Sequence, residues 1–104
     1  MIIVMATVKV RPGCMDQAWQ LSKSHVARSR LEPGCVSHAV YRDDEHENNL
    51  VFVEEWASEQ AVKAHFAVPA SHEFVNALVP LSVGRQVFRI YSAKELPFPQ
   101  AGAA

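Results

Sequence analysis

Two stretches of this chain carry a histidine in the middle of what should be an inward-facing helical stripe. On a wheel of 100° per residue, Ala18, Ser22, His25 and Ser29 fall together. Met15, Trp19 and Val26 flank them on one side, and Cys14 and Leu21 on the other. A plain core helix would fill that centre with Leu or Phe. Small and polar side chains there leave space, and an imidazole lining the space is a ligand-pocket arrangement. A second stretch repeats the feature: Ala61, His65 and Val68 share a face, with Val62 and Ala64 beside it. Buried imidazoles tend to be neutral near pH 7, because burial disfavours the charged form. A neutral imidazole can take a proton from a phenol or enol, or hold a substrate hydroxyl. The competing reading for each histidine taken alone is a hydrogen-bonded core residue.

Other residues divide between chemistry and packing. Trp56 is either core or a wall that stacks on a flat substrate. Phe74, with Leu78 and Leu81, walls the same side as the two histidines, whereas His72 points away. His38 lies on a strand whose facing the sequence leaves open. Glu54 and Glu55 are adjacent, so they point to opposite faces; the inward one is expected to need an arginine, Arg89 or one from another subunit. Cys14 and Cys35 read as free thiols with no adjacent base. There is no Cys-x-x-Cys, no His-x-x-x-His and no Gly-rich phosphate loop, so neither a metal nor a nucleotide cofactor is expected.

The elements that must position these residues follow from residue type and punctuation. Residues 2–10 are β-branched and apolar, closed by Pro12-Gly13, and predict a strand. Residues 13–31 contain no proline and end at Glu32-Pro33-Gly34, which predicts a long helix. Residues 35–42 and 50–56 predict a hairpin around the polar turn 43–49. Ser58 can cap a helix running to about Ala67; Pro69 interrupts it, and 71–81 resumes. Gly84 breaks the pattern before a last strand over 86–94. The order β-α-β-β-α-β predicts a ferredoxin-like α+β domain over residues 1–94: one four-stranded antiparallel sheet with its helices on one face. Residues 95–104 form a Pro-containing tail, a mobile end or an arm lying on a partner. The strands are apolar on both parities (Ile2, Val4, Ala6, Val8 and also Ile3, Met5), so both sheet faces need cover. One chain supplies helices for one face only, and a second copy is the natural cover for the other.

The whole-chain numbers exclude several classes. With 104 residues, 49% apolar and 20% charged, the chain has room for one ordinary core. A net charge of −1 without a Lys/Arg cluster argues against nucleic acid as a partner. The apolar runs are strand-sized, so no membrane span is expected. The opening segment lacks the basic region of a secretory signal, and a cytoplasmic location is expected.

Several short pieces together resemble the antibiotic biosynthesis monooxygenase family. They are Val8-Lys9-Val10-Arg11-Pro12-Gly13, Ser29-Arg30-Leu31-Glu32-Pro33-Gly34-Cys35 and Tyr41-Arg42-Asp43, then Phe52-Val53-Glu54-Glu55-Trp56, Ala64-His65-Phe66 and the Pro69 to Phe74 stretch. The resemblance implies a dimeric α+β barrel with a pocket between each sheet and its own helices. It also implies a quinol-monooxygenase-like activity that uses molecular oxygen and no metal, flavin or haem. In such chemistry the substrate's own anion supplies electrons to oxygen, and the protein supplies a base, orientation and a dry cavity. The base would be His65 or His25, and the surrounding wall Trp56, Phe74, His38 and Ser22. The family's haem-degrading branch places an Asn on the first strand and a Trp on the second helix; Ala6 and His65 stand there, so haem is not expected. His25 stands where members commonly carry an apolar residue, which implies a more polar ligand. Two other readings stay open: an isomerase or tautomerase using His25 and His65 as an acid–base pair on a small carbonyl compound, and a non-catalytic binding or stress-response dimer.

Overall fold

The computed structural model describes residues 1–99. Strand β1 spans Ile2–Lys9, helix α1 Met15–Ser29, β2 Cys35–Arg42, β3 Asn49–Trp56, α2 Glu59–Ala67, α3 Pro69–Leu78 and β4 Val87–Ser92, with a 3₁₀ turn at Val79–Leu81. All neighbouring strands are antiparallel, in the spatial order β2-β3-β1-β4. This is the predicted ferredoxin-like α+β topology. Its central pair is β1–β3, in the register Val4↔Glu54 and Ala6↔Phe52.

The element limits differ from the sequence expectation where single residues decide. Val10 leaves the first strand to make an isolated bridge with Ser82. Ser58 caps α2 as expected, its hydroxyl accepting the Ala61 N–H at 3.1 Å. Pro69 begins α3 instead of merely interrupting a helix: Val68 is extended, and proline at the first helical position costs no hydrogen bond. The expected tail begins with exposed residues after β4, including Leu96 and Phe98, and continues into residues 100–104, which lie outside the described residues.

Period-two alternation sorts the strands into two faces. Ile2, Val4, Ala6 and Val8 of β1 are buried under the helices, as are Leu50, Phe52, Glu54 and Trp56 of β3. The buried stripe of α1 is Ala18, Ser22, His25, Val26 and Ser29, the predicted stripe with Val26 added. The other sheet face carries Met5, Tyr41, Val87 and Tyr91, all exposed in the single chain.

The turn from α1 to β2 brings the helices together. Gly34 has φ +80°, a conformation that side chains rarely adopt, and a Cβ placed there would come 2.5 Å from the Cβ of Ala61. Its carbonyl accepts the Ala57 N–H at 2.8 Å. The bare backbone therefore lets the first turn of α2 lie against the end of α1, with Glu32 two residues before it and His65 one turn after Ala61. Gly34→Ala is expected to destabilise the fold by about 1–3 kcal/mol from backbone strain alone, with the clash added. Urea denaturation checks this, and an unchanged midpoint would show that the turn relaxes freely.

Candidate functional site

Four elements converge under the helices. His25 comes from α1, His38 from β2, Glu54 from β3 and His65 from α2, and all are buried. The imidazole ring centres form a nearly equilateral triangle: His25–His38 5.3 Å, His25–His65 5.4 Å and His38–His65 5.4 Å. The strand parity that the sequence leaves open puts His38 on the helix side, paired across the sheet with Glu54.

Glu54 corrects the expectation of an arginine partner. Its Oε1 accepts the Trp56 Nε1–H at 2.9 Å and lies 3.3 Å from His38 Nε2 and 3.8 Å from His65 Nε2. Arg89 pairs with Met5 at the exposed edge strand, on the opposite face. Burial pushes the Glu54 carboxyl pKa upward, but the His38 ring, the Trp56 N–H and His65 together outweigh it and hold the group below its ordinary range. Glu55, on the other face, accepts the Ser37 hydroxyl at 2.6 Å.

A second carboxylate completes the site, and sequence reasoning missed it. Glu32 reads in sequence as part of a helix-ending turn. In the fold its Oε1 sits 2.9 Å from His65 Nδ1, and its Oε2 accepts Arg28 Nη1–H at 2.8 Å. Arg28 Nη2 in turn donates to His25 Nδ1 at 2.7 Å. Arginine has no acceptor atom, so His25 Nδ1 must be the acceptor and its proton sits on Nε2. At His65 the carboxylate must accept, so Nδ1 carries the proton and Nε2 keeps its lone pair. The two histidines are thus set in opposite tautomers by Arg28 and Glu32.

His25 and His65 line one cavity, as the helix wheels predict, together with Phe52, Phe74, Phe88 and Glu54. Phe74 stacks on His25 with ring centres 4.1 Å apart and planes 7° apart. Trp56 does not reach the cavity wall: it is fully buried behind His65, ring centres 4.6 Å apart, in a cluster with Ile2, Val4 and Val62. Ser22 and His38 are likewise buried without lining the cavity. The Ser22 hydroxyl and His38 Nδ1 lack hydrogen-bond partners among the described residues, and His38 Nε2 has only the Glu54 carboxylate 3.3 Å away. The cavity is small, about 50 Å³, room for a few waters or dioxygen. At its exposed rim Phe66 and Phe88 meet edge to face, ring centres 6.3 Å apart. Cys14 and Cys35 are free, and burial, with Glu32 and Glu54 nearby, pushes the Cys35 thiol pKa up, which opposes nucleophilic use. No helix of the described residues is long and apolar enough to cross a membrane.

Burial, then the neighbouring His38, His65 and Arg28, lowers the His25 pKa to about 3. The unfolded chain takes up this proton near the ordinary imidazole value of 6.5 while the folded chain refuses it until about pH 3. Stability from His25 is therefore complete above pH 6.5 and is lost as pH falls toward 3, by about 1.4 kcal/mol per pH unit for one proton. Glu54, held low, adds a loss of the same sign at the acid end. Urea denaturation across pH 4–7 should show this slope, and His25→Gln should flatten it; a slope unchanged in that variant would reject the assignment.

A family model described as antibiotic biosynthesis monooxygenase matches residues 1–77. The Synechocystis protein sll1783, itself uncharacterized, is 34% identical over 94 residues, covering 90% of this chain and 64% of that protein. The chain thus spans less than two thirds of that relative's length. A Bacillus subtilis protein named "Putative monooxygenase YcnE" is 32% identical over 65 residues, covering 62% of this chain and 68% of that one. Among solved structures, a Deinococcus radiodurans protein described as a "putative antibiotic biosynthesis monooxygenase" superimposes with a TM-score of 0.90 at 24% identity, covering 94% of this chain and 97% of its own; at that identity it speaks for the fold. A conserved protein of Methanosarcina mazei follows with a TM-score of 0.86 at 27% identity, covering 89% and 92%. The family model covers most of the chain, and the chain belongs to the antibiotic biosynthesis monooxygenase family.

Proposed function

We propose that this protein is a monooxygenase acting on a quinol or related electron-rich aromatic small molecule, with dioxygen as co-substrate and His65 as the general base. The observation that supports it most is the fixed tautomer of His65. Its Nδ1–H is held by Glu32, so a lone pair on Nε2 is available at a cavity lined by four phenylalanines and a few polar groups, among them His25 and Glu54. A quinol hydroxyl entering between Phe66 and Phe88 gives its proton to Nε2, and Glu32 stabilises the imidazolium that results. The phenolate passes its electrons to dioxygen. One oxygen atom ends on the ring as a hydroxyl of the quinone product, and the other leaves as water, so quinol plus dioxygen balances hydroxyquinone plus water. His25, with its proton on Nε2, is placed to donate a hydrogen bond to the oxygen that gains charge. Phe74, stacked on His25, fixes that ring.

His65→Ala is expected to lower oxygen uptake with a panel of hydroquinones by about 10²–10⁴-fold, and Glu32→Gln by a smaller factor through the tautomer. Uptake equal in wild type and His65→Ala would reject the reading. Deuterium exchange into a hydroxyketone without oxygen uptake would assign the isomerase alternative instead, and tight binding without turnover the non-catalytic one.

We also propose that residues 1–94 act as one domain that pairs with a second copy through the sheet face lacking helices. Met5, Tyr41, Val87 and Tyr91 make that face apolar and exposed in the single chain, which favours burial against a partner. Val53 lies in register with Met5 and Ala39 on that face. Val53→Lys is expected to convert a dimer to a monomer in light scattering; a monomeric wild type would reject the pairing.

A further inference from the structure

We propose that His25, His38 and His65, with the Glu54 carboxylate as a fourth donor, form a binding site for a divalent transition-metal ion of the zinc, cobalt or nickel type. Binding does not depend on the oxidation reading, although both use the Nε2 of His65, which cannot accept a proton and hold a metal at once.

Geometry comes first. Each histidine offers a ring nitrogen, and these atoms all lie within 4.8 Å of one another. The ring centres, at 5.3–5.4 Å, are already spaced as three imidazoles around a tetrahedral zinc, for which metal–nitrogen bonds of about 2.0–2.1 Å place them about 5 Å apart. The nitrogens themselves must close to about 3.4 Å in a tetrahedral site. Glu54 Oε1 lies 3.3 Å and 3.8 Å from the Nε2 atoms of His38 and His65, which brings a carboxylate oxygen next to two of the three imidazoles.

The state of the donors points the same way. His38 is 1% exposed; its Nδ1 has no hydrogen-bond partner among the described residues, and its Nε2 has only the Glu54 carboxylate, 3.3 Å away and outside good hydrogen-bond geometry. A buried imidazole left in this state costs free energy unless something else binds it. Coordination supplies that partner. His65 is prepared in the manner of metal-site histidines generally, its far nitrogen donating to a carboxylate, Glu32, which orients the ring and raises its basicity. His25 needs one local change. Arg28, which is part-exposed and already paired with Glu32, releases His25 Nδ1, and the ring proton moves there from Nε2. Three imidazoles with one carboxylate suit borderline divalent ions and leave little net charge in the core. The donors come from α1, β2, β3 and α2, so a bound ion would tie both helices to the sheet.

The test is a titration of tag-free, chelator-stripped protein with cobalt(II), followed by its visible d–d bands, with competition by zinc. One ion per chain is expected, in a low-symmetry site with intense bands, and zinc should displace it. His38→Gln should abolish binding, and Glu32→Gln should weaken it by about 10–100-fold through the loss of the carboxylate behind His65. The exposed histidines provide controls: His46→Gln and His72→Gln should bind as wild type does. If His38→Gln does not fold, imidazole nitrogen NMR of the wild-type protein decides. Zinc should then shift the ring signals of His25, His38 and His65 and leave those of His46 and His72 in place. No stoichiometric uptake, binding unchanged in a folded His38→Gln variant, or signals moving at His46 and His72 instead would each overturn the proposal. Failure of hydroquinone oxidation leaves these readouts untouched, so the two proposals fail separately.

Discussion

A carboxylate buried on the central strand sets the terms for the interior of this protein. Glu54 is 4% exposed, and an ionised group at that depth is tolerable only if polar hydrogens and polarisable rings surround it. The Trp56 indole N–H, from the same strand, donates to it at 2.9 Å, and the His38 ring from the neighbouring strand and the His65 ring from the helix above place polarisable surface 3.3 and 3.8 Å away. Those three side chains are otherwise hard to place in an apolar core. Trp56 fills volume behind His65 while its N–H serves the carboxylate, which explains why the ring lies inside the core and away from the cavity surface. The carboxylate thus accounts for a polar centre where a domain of this size would ordinarily put aliphatic side chains.

The room above Glu54 is made by α1. Ala18, Ser22 and Ser29 keep the middle of its buried stripe thin, and Ser29 returns its hydroxyl to the His25 carbonyl at 2.7 Å, so it leaves no unsatisfied group. The edges of the stripe do the aliphatic packing: Val26 is buried, and Met15 and Trp19 lie against the main apolar cluster of Val8, Leu50 and Phe52. Arg42 covers the Trp19 ring at 4.8 Å, closing that edge with a cation–π contact. One helix thereby contributes both to the core and to a polar chamber. The chain Arg28–Glu32–His65, with Arg28 also on His25, spans the top of the chamber and sets the proton positions on both rings.

That chamber is coupled to the rest of the domain through the α1–β2 turn. Gly34 permits the close approach of Ala61, and without that approach Glu32 and His65 would stand on separate layers. The site accordingly inherits its precision from backbone packing at a surface turn and not from the cavity lining. The lining is adaptable by comparison: Phe66 and Phe88 are partly exposed rings held by one another at the rim.

Much of this architecture was legible in the residues alone. Strand and helix order, the cap at Ser58, the thin stripe of α1 and the inward facing of His25 and His65 all follow from periodicities of two and 3.6 and from Pro/Gly punctuation, which are local properties of the chain. The family resemblance carried by the Glu32-Pro33-Gly34-Cys35 and Glu54-Glu55-Trp56 pieces agrees with the matching family model. What stayed hidden depends on contacts between residues far apart in the chain. The facing of His38 turns on strand parity past an irregularity between Cys35 and Ser37, which shifts the register. The partners of Glu54 were misread because opposite charge suggests arginine, whereas the fold surrounds it with imidazole and indole. Glu32 looked like part of a turn because its acceptor role exists only once His65, 33 residues later, is laid against it. A three-histidine cluster has no signature in spacing when each member comes from a different element. Local patterning decided which residues face inward; only the tertiary structure decided which of them meet, because distance through space is set by how layers pack and not by separation along the chain.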